Sequence, residues 1–434
     1  MPGFLIKNCR IVSSEGVVEA DILVEGEKVA KIGKGMHHEN TIDAKNNLVL
    51  PGLIDAHVHF REPGAGSKED WLTGSSAAAA GGVTCVLDMP NTQPPMTTVA
   101  LLNEKRKIAS SKSVVDFGFH FGASGDNLLE IAKADNIASV KYYLGSTTGS
   151  LLIDNDACII EGFEAVAKRG TIATVHAEDE SMIKRLSEKL KAENRTDALA
   201  HNDSRPPVCA ASAVNRMVFL SENAKNRLHI CHVTSRAELD VLEGHPKVTK
   251  EATPHHLFLN QDDVKRLGNF AKTNPPLRSK EDQKYLWDSV VGGKIDIIAS
   301  DHAPHLKRAK EADVWSAPSG VPGIETMLPL LLNAVDERRI RIEQVAGLVC
   351  ENPAWVFGIK GKGRIAQGYD ADLVIIDMNM KKRVEGDKLF TKCGWSPFEG
   401  VGLKGWPVKT FVRGNLVFDE GNINKMHGKE VTIT

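Results

Sequence analysis

Residues 53–61 of this 434-residue chain read Leu-Ile-Asp-Ala-His-Val-His-Phe-Arg. An apolar run bounded by turn residues and ending in His57-Val58-His59 predicts a strand that carries two imidazoles at its end. Residues i and i+2 of a strand point to one face, so both rings can aim into one space and share one cation. Similar β-type runs recur at 83–89, 114–121, 139–144, 171–177, 228–233, 248–252 and 295–300. Between them lie helical or loop-rich stretches. Examples are 67–80, opened by a Ser-x-x-Asp capping box at Ser67 and Asp70, and 324–335. Eight strands alternating with helices predict an α/β chain built as a (β/α)8 TIM-type barrel, whose catalytic rim is the end where the strands finish.

On either side of this region the pattern changes. Short β runs at 5–6, 11–12, 22–24 and 29–32, with a Glu25-Gly26-Glu27 turn, fill the first 50 residues without a helix. After Phe357 the runs 364–365, 372–376, 410–412 and 416–418 again read as strands. The expected division is therefore 1–50 and 358–434 as two parts of a small composite β-sandwich, with 51–357 as the barrel between them. Gly361-Lys362-Gly363 follows a helix and opens none, so it reads as a linker turn rather than a phosphate loop.

Apolar residues make up 42% of the chain, enough for a sizeable core, and 54 Lys+Arg against 56 Asp+Glu leave a net charge of -2. That balance argues against nucleic acid or an anionic membrane as partner, since both recruit basic patches. No apolar run reaches the ~20 residues of a membrane span, and residues 1–12 lack the features of a secretory signal. Seven cysteines without a CxxC pair predict reduced thiols in a cytoplasm, with neither a disulfide framework nor a thiolate zinc site.

Further candidates sit at the ends of later strands: His176, then His232, and Asp301 in Ser300-Asp301-His302-Ala303-Pro304-His305. His229 and His232 have opposite strand parity, so at most one points inward, and His232 is nearer the strand end. Lys141 lies in a run expected to be buried on both faces, where an ammonium ion is costly. Its neutral amine could take up carbon dioxide to give a carbamate whose two oxygens suit a bridge between cations. Alone, each of these has an ordinary reading: a hydrogen-bonded core histidine, a turn aspartate, an edge lysine reaching solvent. Together His57, His59, Lys141 as N6-carboxylysine, His176, His232 and Asp301 offer six nitrogen and oxygen donors. That is too many for one cation and suited to two, with zinc favoured and manganese, cobalt or iron also fitting. Two divalent ions less a carbamate, a carboxylate and a hydroxide leave about one positive charge, which suits hydrolysis of an anionic substrate.

Asp55-Ala56-His57-Val58-His59-Phe60-Arg61-Glu62-Pro63 and Ala299-Ser300-Asp301-His302-Ala303-Pro304-His305, with Lys310 beyond, closely resemble the two signature stretches of the dihydroorotase family within the amidohydrolase superfamily. The resemblance continues through Met89-Pro90-Asn91-Thr92, Thr253-Pro254-His255-His256, Asn274-Pro275-Pro276-Leu277-Arg278, Gly320-Val321-Pro322-Gly323-Ile324-Glu325-Thr326 and Gly368-Tyr369-Asp370-Ala371-Asp372-Leu373. It implies the reversible cyclisation of N-carbamoyl-L-aspartate to (S)-dihydroorotate plus water in pyrimidine biosynthesis. It also implies a hydroxide bridging two metals as the attacking group, with Asp301 as acid and base. His57 and His59 would hold the more buried metal, completed by Asp301, and His176 and His232 the other, with Lys141 as the bridge.

Arg61, Asn91 and His305 match residues that grip the substrate's carboxylate, and a planar guanidinium is suited to that task. Asn274 and the 318–320 loop are expected to present amide and backbone groups to the ring. The polar segment 145–150 is expected at the rim, either as a loop closing on substrate with a Thr hydroxyl in contact or as a plain βα linker. Allantoinase and dihydropyrimidinase share the metal set, but their neutral rings have no carboxylate for Arg61. A non-catalytic amidohydrolase-fold partner protein would have no chemical need for six ligands. The sequence leaves open a homodimer and an association with aspartate transcarbamoylase.

Overall fold

Eight parallel strands follow one another round a single sheet in chain order, and the computed structural model describes them within residues 3–147 and 149–434. Five strands from the amino-terminal end precede them: β1 (Phe4–Ser13), β2 (Gly16–Glu25), β3 (Lys28–Gly33), β4 (Thr41–Asp43) and β5 (Leu48–Pro51). The barrel strands are β6 (Leu53–Val58), β7 (Val83–Asp88), β8 (Asp116–Gly122), β9 (Ser139–Tyr143), β10 (Ile172–His176), β11 (Arg227–Ile230), β12 (Thr249–Ala252) and β13 (Ile297–Ile298). Each lies within or one residue from a run expected from sequence. Residues of β6 to β10 are buried throughout, as strands covered on both faces must be. The ring closes beyond β13, where Val58 and His302 form a parallel bridge and the His59 N–H donates to the His302 carbonyl at 2.9 Å.

The carboxy-terminal strands β14 (Leu373–Arg383), β15 (Gly402–Val412), β16 (Asn415–Asp419) and β17 (Asn422–Ile423) join β1 to β5 in one nine-stranded sheet. Most of its pairings are antiparallel, and β14 lies directly against β5, so the two ends of the chain meet at its centre. Two local expectations change. Residues 364–365 are not in a strand, and the first carboxy-terminal strand starts at Leu373. The helix expected from residue 67 is Trp71–Ala80, capped by Asp70 rather than Ser67. Residues 66–68 form a turn, the buried Glu69 carboxylate is held by His302 and Thr391, and Asp70 then accepts the Thr73 N–H at 2.9 Å.

Lys362, in the turn read as a linker, is buried and ties the barrel to the terminal sheet. Its ammonium donates to Asp116 at 2.7 Å and Asp372 at 2.6 Å and lies 3.0 Å from Asp370, so the cation of this acidic cluster is the lysine itself. Arg413 completes it with 3.0 Å bonds to both Asp116 oxygens. Lys362→Met would leave two buried carboxylates, Asp116 and Asp372, without their central partner and should lower stability by about 3–5 kcal/mol. Denaturant unfolding checks this; a midpoint equal to that of the unaltered protein would show that the cluster does not join the two sheets.

Candidate metal centre and cavity

His57 ends the inner face of β6, and its Nδ1–H donates to the buried Glu251 Oε1 of β12 at 2.8 Å. His59 makes the equivalent bond from Nδ1 to Asn91 Oδ1 at 2.7 Å. With Nδ1 so occupied, both rings turn Nε2 to one atom: Asp301 Oδ1 lies 3.3 Å from His57 Nε2 and 3.0 Å from His59 Nε2. These three donor atoms lie within 4.8 Å of one another and together could hold a divalent cation. Burial alone would raise the Asp301 pKa, but His57, His59 and His232 hold it well below the usual carboxylate range. Burial pulls His59 down to about 4, against the opposing pull of Asp301, which keeps the ring neutral and its lone pair available.

His176 and His232 form the second pair. His176 Nδ1 and His232 Nε2 face each other at 3.1 Å, and burial lowers both pKa values. The outer nitrogen of His176 lies 3.1 Å from Glu178, which is clamped by Arg205. The buried Nδ1 of His232 has no hydrogen-bond partner among the described residues. Strand parity does not decide this position, because β11 stops at Ile230 and His232 lies beyond it with φ +35°. His229 stays within the strand, also buried, donating to or accepting from Thr249 Oγ1 at 2.8 Å. Lys141 is wholly buried on β9, with Nζ 2.7 Å from Cys231 Sγ, and Cys231 shares a donor cluster with His57 and His232. The lysine thus lies beside both histidine pairs.

A cavity opens over these residues. His57, His59, Arg61, Asn91, His176, His232, Asn274 and Asp301 line it. Lys141 and His305 do not; His305 stands behind the wall, with Nε2 3.0 Å from the Ser319 carbonyl and 3.3 Å from Arg61 Nη2. Arg61, Asp301 and His232 all adopt positive φ, at +62°, +45° and +35°, backbone strain of the kind that concentrates at functional sites. Thr147 of the rim segment lines the cavity, whereas Thr148 lies outside the described residues.

Tyr143, Ala303, Glu251, Glu178, Arg205 and Cys231 complete the surroundings and were not among the sequence candidates. Two of them left a trace. Tyr143 is two residues after Lys141 on the same strand face, and Glu251 is a carboxylate inside a buried strand, as unusual there as Lys141 in its own.

The chain matches the amidohydrolase family over residues 48–417. It is 41% identical to a dihydroorotase of Methanosarcina acetivorans over 99% of this chain and 95% of that protein. It is 42% identical to a dihydroorotase of Halobacterium salinarum over 95% and 96%. Among solved structures, the L-hydantoinase (dihydropyrimidinase) from Arthrobacter aurescens superposes with a TM-score of 0.96 at 34% identity, covering all of both chains. Sequence, barrel and site together place this chain in the amidohydrolase family.

Proposed function

We propose that this amidohydrolase is a dihydroorotase, interconverting N-carbamoyl-L-aspartate with (S)-dihydroorotate and water. The observation that carries this reading is Arg61. Its guanidinium is 5% exposed, lines the same cavity as the donor cluster, and pairs with no carboxylate among the described residues. Its nearest polar contacts are the Pro304 carbonyl and His305, both at 3.3 Å. Burial lowers its pKa only to about 10, so it stays a cation at neutral pH. A buried cation with no directly paired carboxylate among the described residues suits a substrate that brings one, and a neutral hydantoin or dihydropyrimidine ring brings none. The relatives named dihydroorotase agree with this choice.

The donor set fits two divalent cations, most simply zinc. His57, His59 and Asp301 would hold one, His176 and His232 the other, and Lys141 would bridge them as N6-carboxylysine. Bound there, they supply Lewis-acid polarisation of the ring amide and a water acidic near neutral pH. The chain's own groups do the rest. Arg61, Asn91 and Asn274 hold the substrate from the cavity wall, and His305 acts from behind through its 3.3 Å contact with Arg61. In ring opening, the Asp301 carboxylate accepts the proton of the attacking water and delivers it to the leaving ring nitrogen. In ring closure it accepts the ureido proton. The division at residues 50 and 357 is proposed to separate the terminal sheet from this catalytic barrel, supported by the direct pairing of β5 with β14. A cytoplasmic setting is proposed from the cysteines, which are unpaired thiols.

Ultraviolet loss of dihydroorotate on adding enzyme, with allantoin and dihydrouracil as controls, tests the reading. Turnover of dihydroorotate alone is expected; preference for a neutral ring would overturn it. Glu251→Gln should weaken metal binding by roughly 10–100-fold, because Glu251 fixes the His57 ring through Nδ1. Titration of the apoprotein with zinc against a competing chelator measures this, and unchanged affinity would remove Glu251 from that role.

A further inference from the structure

Behind the cavity wall, Lys310 is 1% exposed and spends all three of its N–H bonds on main-chain carbonyls. Nζ donates to Lys272 O at 3.2 Å, Pro318 O at 2.9 Å and Gly320 O at 2.9 Å. Among the described residues no carboxylate pairs with it. The Gly320 N–H donates back to Lys272 O at 2.9 Å, so two separate segments are knotted at one nitrogen. Both run directly into the cavity lining, one through Ser319 and Gly320 and the other through Asn274.

The wall has little room to shift. Gly320 sits at φ +130°, and a Cβ there would lie 2.6 Å from the Ala303 carbonyl oxygen. From the terminal sheet's side, Trp395 closes the back, donating from Nε1 to the His305 carbonyl at 2.8 Å, with its ring centre 5.7 Å from Lys310 Nζ. An apolar side chain of similar length would spare the desolvation cost of a buried ammonium but would leave the Pro318 and Gly320 carbonyls without this partner. The amine brings what such a side chain cannot: a fixed distance between the two segments.

We propose that Lys310 is a positioning residue that sets substrate affinity, its three carbonyl bonds fixing the Ser319–Gly320 wall and the Asn274 strip relative to Arg61. This deepens the dihydroorotase reading and rests on it. Lys310→Met keeps length and burial and removes the donors. The expected result is a KM for dihydroorotate raised about tenfold or more, the scale of one or two lost hydrogen bonds. kcat should stay within about threefold and metal content should be unchanged. A purely structural role would instead lower the fraction of active enzyme, reducing apparent kcat at constant KM. Should the methionine variant fail to fold, Lys310→Gln, which retains two donors, gives the same readout with a smaller rise. Wild-type turnover with KM unchanged in the folded variant overturns the role of Lys310 alone. No wild-type turnover of dihydroorotate overturns the reading beneath it as well, and the wild-type control tells the two failures apart.

Discussion

Replacing Lys141 by alanine is expected to lower turnover of dihydroorotate by on the order of 10³-fold or more. Lys141 is buried on β9, and among the described residues no acidic side chain pairs with its amine, which lies 2.7 Å from Cys231 Sγ and over the Tyr143 ring. An amine in that position has no structural task that a neutral side chain could not perform at less desolvation cost. As the proposed carbamate it would be an anion beside both histidine pairs. Without that bridge the two cations would not be held as a pair, and the attacking water would be less acidic than it is between two metals. Kinetics with metal analysis of the variant check this, together with intact mass of the unaltered protein, which should show an increment of one carbon dioxide. Wild-type turnover by the alanine variant would remove Lys141 from the centre.

Asp301→Asn should lower kcat by roughly 10²–10⁴-fold while leaving most metal bound. The amide keeps an oxygen for His57 and His59, which meet Asp301 Oδ1 at 3.3 and 3.0 Å. What it loses is the capacity to accept and return a proton. The left-handed backbone at Asp301 and the closing bond from His59 N–H to the His302 carbonyl hold the carboxylate in place, so the variant should differ in chemistry rather than in position. Steady-state kinetics beside zinc content measure both halves; near-normal kcat with full metal would assign the proton transfer to another group.

Much of this centre was legible because its residues mark strand ends within short, recognisable words. His57-x-His59 announces a shared face, Lys141 announces itself by polarity in a buried run, and Asp301 stands where the last strand stops. What was not legible depends on pairs far apart in sequence. Glu251 meets His57 across 194 positions and Arg205 meets Glu178 across 27, and no local pattern marks either contact. Cys231 was read correctly as an unpaired thiol, but its place against Lys141 follows only from the neighbouring strands' packing. The Asp70 cap was missed for a similar reason, since the partners that hold the Glu69 carboxylate come from residues 302 and 391.

Anomalous diffraction at the zinc edge, from crystals grown with bicarbonate and zinc, tests the two-cation centre most directly. Two peaks about 3.5–4 Å apart are expected, one against His57, His59 and Asp301, the other against His176 and His232, with continuous density from Lys141 reaching both. A single peak, or density at Lys141 that stops at Nζ while both peaks are filled, would contradict it.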